Sequence, residues 1–258
     1  MNETVSLPVL TVGICGGSGS GKSSLARAIE AEFLDLKPCM ISEDDYFISV
    51  ANDEMAEGRP IDFDLPRRKD HRLLEENLRT LHSGLETSAP LYCMKTHSRK
   101  EEVRTLAPSR LIIVEGLHIF EKYLLGFFDV KVFVDTPSDV RLARRIRRDC
   151  GLLGQLLDNG DDKKSRKLAE KNESRGRSVS SVLDQYMKTV RKSHLIYTQS
   201  RASMQDIHII SDDDGEWFSE AEVQRYGSEF LEKYAERRMR DLANELVAEL
   251  RSKLAARD

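Results

Sequence analysis

Cysteine is scarce in this chain, and the four present, Cys15, Cys39, Cys93 and Cys150, lie far apart with no CxxC spacing. They are too few for a disulfide framework, which fits a reducing compartment. Long apolar runs are missing as well, and none approaches the length of a membrane span. The start, MNETVSLP, has neither the basic n-region nor the apolar h-region of a signal peptide. Positive charge is in deficit, with 40 Lys and Arg against 44 Asp and Glu and a net charge of −4. That balance argues against general nucleic-acid binding, which needs a basic face to release counterions. No internal repeat is visible. The expectation is a soluble, cytoplasmic protein with small-molecule partners, bound neither to nucleic acid nor to a membrane.

What is there suits a single core with appendages: 258 residues, 40% of them hydrophobic. Val9 to Ile14, Cys39 to Ile41, Leu111 to Val114, Val130 to Val134 and Ile207 to Ile210 read as buried strands. Between them Leu25, Ile29, Phe33 and Leu36 keep helical spacing until Pro38, and Leu74, Leu78 and Leu81 do so until Gly84. Thr136, Pro137 and Asp139 read as N-cap, first-turn proline and capping acid of the helix that carries RLARRIRRD. Strands alternating with helices predict an α/β fold, a central parallel sheet of about five strands covered on both faces. Charge is unevenly spread. Between Arg141 and Lys192, 15 Lys and Arg stand against 7 Asp and Glu, an excess of +8 that leaves −12 for the rest of the chain. A local basic patch on an acidic protein suits a small polyanion.

The stretch GGSGSGKSS falls at the exit of the first strand and the mouth of the first helix. Gly16, Gly21, Lys22 and Ser23 satisfy GxxxxGK[ST] in the strand–loop–helix context the motif requires. Glycines let backbone N–H groups curl around phosphate oxygens with no Cβ in the way, and the helix N-terminus adds partial positive charge. Gly16, Gly17, Ser18, Gly19, Ser20, Gly21, Lys22, Ser23 and Ser24 are thus predicted to cradle ATP. Lys22 reaches the β- and γ-phosphates and the Ser23 hydroxyl ligates Mg²⁺.

Ligands of open α/β sheets bind at the carboxyl ends of the strands, and acids stand there. Asp44 and Asp45 follow the second strand in ISEDDYF, and Glu115 follows the third in LIIVEG. An acid that takes a proton from an acceptor hydroxyl, or that holds Mg²⁺ through water, belongs at such a position. Ser23, Asp44 and Glu115 are therefore the candidate metal residues. A solvated turn for Asp44 and Asp45, and a loop acid for Glu115, remain open on spacing alone.

In its ordered motifs, GGSGSGKSS, SEDDYF, DFDLP, LYCMKTHSRKEE, VEGLHIF, FVDTPSDVRLARRIRRD and RGRSVSSVLDQY, the chain resembles the uridine–cytidine kinases from about Leu10 to Ile210. Their relatives include phosphoribulokinase and bacterial pantothenate kinase. The resemblance implies a P-loop kinase three-layer sandwich with a mobile lid. It also implies transfer of the γ-phosphoryl of ATP to the 5′-hydroxyl of a pyrimidine ribonucleoside. Matched position by position, it makes Asp44 the catalytic base and Asp64 the acid that holds ribose hydroxyls. Tyr92 and His97 become the pair that reads the pyrimidine edge. Arg145, Arg148, Arg175 and Arg177 match lid arginines closing over phosphates and ribose, with Arg148 and Lys22 in catalysis, and Gln185 matches a further ribose contact. Read without the resemblance, Asp64 suits an N-cap for a helix after Pro66. Tyr92 and His97 suit ordinary core or surface, and the arginines a solvated helix face.

Three departures stand out. Phe47 replaces a tyrosine three residues after the base, and Met94 replaces a phenylalanine between Tyr92 and His97, so both changes touch the wall around the acceptor base. The third is length: the stretch from Cys150 to Ser174 exceeds the lid turn by roughly twenty residues, where connections are ordinarily short. The expected organisation is a kinase domain over 1–214, with a lid over 141–178 and a polar insertion over 151–173, then a helical extension over 215–258. In that extension Ser219 and Glu222 form a capping box. Tyr226, Phe230, Tyr234, Leu242, Leu246, Leu250 and Leu254 form a stripe at helical spacing. The stripe suits packing on its own domain or a subunit contact, which leaves a dimer or tetramer open. Two other functions stay in play: a P-loop kinase of another small alcohol, and a nucleotide-binding regulatory or scaffold protein. A GTPase is disfavoured because no NKxD motif is present.

Overall fold

The computed structural model describes residues 8–50, 61–94, 96–150, 177–210, 243–244 and 246–257. Within them lie the strands β1 (Leu10–Gly16), β2 (Cys39–Ser42), β3 (Thr87–Cys93), β4 (Ser98–Leu106), β5 (Leu111–Gly116), β6 (Val130–Asp135) and β7 (Ile207–Ile210). Five of them form one sheet in the order β2-β5-β1-β6-β7. All its pairings are parallel. Every residue of β1 and β5 is buried, as strands covered on both faces require. The five strands expected from the sequence are these five. From β1 the chain goes to one side and later returns to the other, so the direction of winding switches at β1. A crevice opens at the carboxyl ends of the strands there.

Side chains alternate between the two faces of the sheet. On one face Leu10, Val12 and Ile14, with Leu111, Ile113, Val130 and Val132, meet Leu25, Ala26 and Ile29 of α1 (Lys22–Glu32). On the other, Ile112, Val114 and Phe133 meet Leu74, Leu78 and Leu81 of α2 (His71–His82). Asp70 caps α2 by accepting from Leu73 N at 3.1 Å. Helical residues 246–255 return to the first face, where Leu246, Leu250 and Leu254 join the same core as β1. For these three the stripe packs on its own domain. Arg251 donates to the Glu32 carbonyl at 2.7 Å and Arg257 pairs with Asp129 at 2.5 Å, fixing this end. Ser219, Glu222, Tyr226, Phe230, Tyr234 and Leu242 lie outside the described residues, as do the 151–173 stretch and Arg175.

Two local expectations are corrected. Thr136 does not act as the helix cap: α3 spans Ser138–Cys150, and the Thr136 hydroxyl donates to the Ser20 carbonyl at 3.0 Å, tying β6 to the phosphate loop. The pair β3 and β4, antiparallel and separate from the main sheet, was not among the expected strands. SRKEEVRTL carries too much charge to look like a strand, because most of β4 faces solvent. After α3 the described chain resumes as a helical run, with α4 (Val179–Gln185), π-helical turns over Tyr186–Val190 and His194–Thr198, and a short helix Arg191–Ser193 between them. Among the described residues no helix is long and apolar enough to cross a membrane.

Candidate active site

The phosphate loop begins where β1 ends. Gly19 and Gly21 take positive φ of 84° and 93°, conformations that side chains disfavour, and Ser20 N closes a turn on the Gly17 carbonyl at 3.0 Å. Gly21 is the N-cap of α1 and supplies no capping side chain; Ser24 N turns back to the Gly21 carbonyl at 2.9 Å, and the Lys22 and Ser23 amides at the mouth of the helix suit an anion. Lys22 is 7% exposed, with its ammonium 3.8 Å from Glu115 Oε2. Glu115 Oε2 accepts from Ser23 Oγ at 3.1 Å and its Oε1 accepts from Ser42 Oγ at 2.6 Å. Among the described residues no group of three or more His, Cys, Asp or Glu could hold a metal. Mg²⁺ does not need one, because it is ordinarily held by one or two protein oxygens together with substrate phosphates and water. The hard oxygens of Ser23 and Glu115, bonded to each other beside Lys22, fit that pattern.

Across the crevice, a 3₁₀ turn over Glu43–Tyr46 separates the neighbouring acids. Asp44 faces a cavity of about 450 Å³, while Asp45 turns to Arg104 of β4 at 3.0 Å. Burial pushes the Asp45 carboxyl up, with Arg104 opposing. Asp64 lines the same cavity and is not a helix cap, since Leu65 holds that place before Pro66–Arg68. Its backbone is fixed twice: Asp64 N donates to Asp62 Oδ1 at 3.0 Å, and the Asp64 carbonyl accepts from His118 Nε2 at 2.8 Å. Burial raises the Asp64 carboxyl, opposed chiefly by Arg145.

Phe47, Phe63, Met94 and His97 complete the wall on this side. His97 adopts a left-handed φ of 53° and stacks on Phe63 with centroids 4.6 Å apart. Tyr92 stands behind Phe47, 5.0 Å between centroids, and is not among the cavity-lining residues. Its hydroxyl is buried without a hydrogen-bond partner among the described residues, and burial pushes it up to about 12. The structure therefore brings His97 to the cavity and keeps Tyr92 one side chain away.

The basic helix is not simply a solvated face. Arg141, Arg145 and Asp149 form a buried stripe at i, i+4 spacing on α3. Arg145 donates to Ser18 Oγ at 2.9 Å and to Gln185 Oε1 at 2.8 Å, and Arg177 shares the same Gln185 oxygen. Arg148 is held by Asp149 at 2.8 Å but keeps 43% of its side chain exposed. Arg145, Arg148, Arg177 and Gln185 all line the cavity that Lys22, Ser23 and Asp44 line.

Sequence reasoning missed the groups that support this layout. Glu43 is fully buried, accepting from Leu117 N at 2.7 Å, His118 N at 3.1 Å and His71 Nε2 at 2.6 Å. Burial alone would raise its carboxyl. The bond to His71 and the charge of Lys69 outweigh that and hold it at about 2. Gly116 allows the approach, since a Cβ there would sit 2.4 Å from the Glu43 side chain. That glycine, the last residue of β5, was the available signal. Lys69 gave none, because RRK reads as a solvated run.

The sequence pattern of the Phosphoribulokinase / Uridine kinase family matches residues 11–162. The chain belongs to this family. Uridine kinase of Alkaliphilus metalliredigens is 34% identical over 189 residues, 73% of this chain and 80% of that protein. Uridine kinase of Oceanobacillus iheyensis is 34% identical over 201 residues, 78% of this chain and 85% of its own length. Among solved structures, D-glycerate 3-kinase from Cryptococcus neoformans superposes with a TM-score of 0.55 at 16% identity, covering 82% of this chain and 89% of that one. Phosphoribulokinase from Rhodobacter spheroides gives 0.51 at 16%, covering 83% and 75%. Those two likenesses concern the fold alone, and a shared fold does not fix an acceptor.

Proposed function

We propose that this family member transfers the γ-phosphoryl group of ATP to the 5′-hydroxyl of a pyrimidine ribonucleoside, uridine or cytidine, as a cytoplasmic enzyme. One observation carries the reading: a single cavity is lined both by phosphate-binding groups, Ser18, Lys22 and Ser23, and by two carboxylates suited to hydroxyls, Asp44 and Asp64. The uridine kinases to which the chain is similar supply the acceptor class.

In this reading the loop amides and Lys22 hold the triphosphate. Asp44 accepts the proton of the attacking hydroxyl as the bond from the γ-phosphorus to the departing ADP oxygen breaks. Asp64 accepts from ribose hydroxyls, which orients the 5′-oxygen. His97, with Phe63 stacked behind it, meets the base. Arg145, Arg148 and Arg177 offer guanidinium forks to the charge that spreads over the equatorial oxygens, and Gln185 sets two of them. Mg²⁺, carried by Ser23 with Glu115 behind it, would neutralise phosphate charge when bound.

A coupled ATP-consumption assay against uridine, cytidine, adenosine, ribulose 5-phosphate and pantothenate tests the proposal. Turnover with the pyrimidine ribonucleosides is expected. Turnover confined to one of the other acceptors would overturn it.

A further inference from the structure

Lys69 is a lysine whose side chain is 0% exposed, set directly behind the candidate base. Its backbone is fixed by the segment that follows Asp44. Phe47 and Lys69 form an antiparallel bridge, Ile48 N donates to the Arg68 carbonyl at 2.8 Å, and Asp70 N donates to the Tyr46 carbonyl at 2.8 Å. From that anchored position the ammonium donates to Asp44 Oδ1 at 2.5 Å and lies 3.1 Å from the centre of the Phe47 ring. Asp44 and Phe47 both line the cavity, and Lys69 is not among the residues that do. Lys69 therefore reaches the cavity by direct contact only through these two side chains, although its charge also bears on the buried Glu43.

A buried ammonium is costly unless paired, so it holds its partner as firmly as it is held. Here the pair has one carboxylate and one aromatic face, a cation–π seat in a dry setting. Asp45 is drawn away by Arg104, and Glu115 is committed to Ser23 and Ser42. Asp44 has the lysine as a close cation that fixes one of its oxygens. We infer that Lys69 is a positioning residue for phosphoryl transfer, clamping the Asp44 carboxylate and the Phe47 ring so that base and acceptor wall keep one fixed relation. This rests on the reading of Asp44 as the base. Small misplacements of a reacting group lower rates by orders of magnitude, up to about a hundredfold for 1 Å, so the clamp acts mainly on kcat.

A double-mutant cycle tests it, using Lys69→Met, Asp44→Asn and the double variant. Each is checked for cooperative unfolding and for ATP affinity without acceptor, and residual turnover is followed with radiolabelled ATP. Lys69→Met is expected to lower kcat for uridine about tenfold to a hundredfold, to raise the uridine KM through Phe47, and to change ATP affinity less than about threefold. In the Asp44→Asn background the same change should lower kcat less than about threefold, because the group through which it acts is already disabled. Should Lys69→Met fail to fold, Lys69→Gln, which is uncharged and one bond shorter and so loses both the close contact with Asp44 and the seat on the Phe47 ring, carries the same cycle. Equal losses in both backgrounds, or a wild-type kcat in the folded Lys69 variant, overturn the clamp alone. A wild-type kcat in Asp44→Asn overturns the base reading, and the clamp with it.

Discussion

The two halves of the cavity are built by different means. The phosphate half draws on one unbroken loop, Gly16 to Ser24, and on arginines of α3 and of the coil just before α4. Its essential donors are backbone amides, Lys22 and guanidinium groups. The acceptor half is assembled from four separate stretches, carrying Asp44 with Phe47, Phe63 with Asp64, Met94 with His97, and Leu117. Two of these lean on a buried partner, Asp44 on Lys69 and Asp64 on His118, while His97 stacks on Phe63 of its neighbour. A phosphate is the same in every nucleotide kinase, so a local backbone motif serves it. An acceptor differs from enzyme to enzyme, and side chains on separate loops can change one at a time.

The sharpest way to break this comparison is Asp44→Asn. Removing the proposed general base should lower kcat by about 10²–10⁴-fold while ATP affinity, measured by calorimetry, stays near wild type. Loss of ATP binding would show that the halves are not separable.

Acid places one buried histidine of each half under test. His118, on the acceptor side, and His194, packed against Gly17 of the phosphate loop, are both pushed by burial to about 4 from 6.5. The folded state keeps them neutral, while the unfolded chain takes up protons below pH 6.5. Their contribution to stability is thus complete above pH 6.5 and is lost as pH falls to about 4, on the order of 3 kcal/mol for each. Urea melts across that window should show the decline. His118→Gln, which keeps a donor for the Asp64 carbonyl, should flatten it by one proton's worth, and an unchanged slope would remove His118 from the account.

Arg177→Gln should come next, lowering kcat about tenfold to a hundredfold with a smaller change in ATP affinity. The reason is that a guanidinium facing the cavity matters most when charge develops on the equatorial oxygens. Steady-state kinetics beside equilibrium binding will separate the two. The smallest effect expected is one of selectivity. Asp64→Ala should reduce kcat/KM about tenfold more for uridine than for 2′-deoxyuridine, since the deoxy substrate already lacks one of the hydroxyls Asp64 would hold. Equal losses would remove the ribose role.

The phosphate half was legible because its chemistry is local. GGSGSGKSS at a strand exit dictates an anion cradle wherever the strand lies, and alternating apolar strands and helices dictate a parallel sheet beneath it. The acceptor half was legible only in part. Asp44, Asp64 and His97 stood out through their motifs, yet their surroundings did not. In the sequence Lys69 sits in a basic run and Glu43 is one acid of three in a row. In the fold one is the buried cation on Asp44 and the other a buried carboxylate held by two amides and a histidine. Tyr92 was expected at the cavity and stands behind Phe47, because the strand that carries it pairs with a charged neighbour the sequence did not show as a strand.

By itself the sequence determined the sheet, the first two helices, the phosphate loop and the acids at the strand ends, all of which follow from periodicity and spacing within a few turns of chain. Only the tertiary structure decided which of two adjacent aspartates faces the cavity, which arginines turn inward, and which buried groups hold the cavity-lining carboxylates in place. Those outcomes depend on contacts between residues tens of positions apart, such as Asp44 with Lys69 and Arg104 with Asp45. A charge in a sequence carries no mark of whether water or another charge will surround it, and in this fold packing alone supplies the answer.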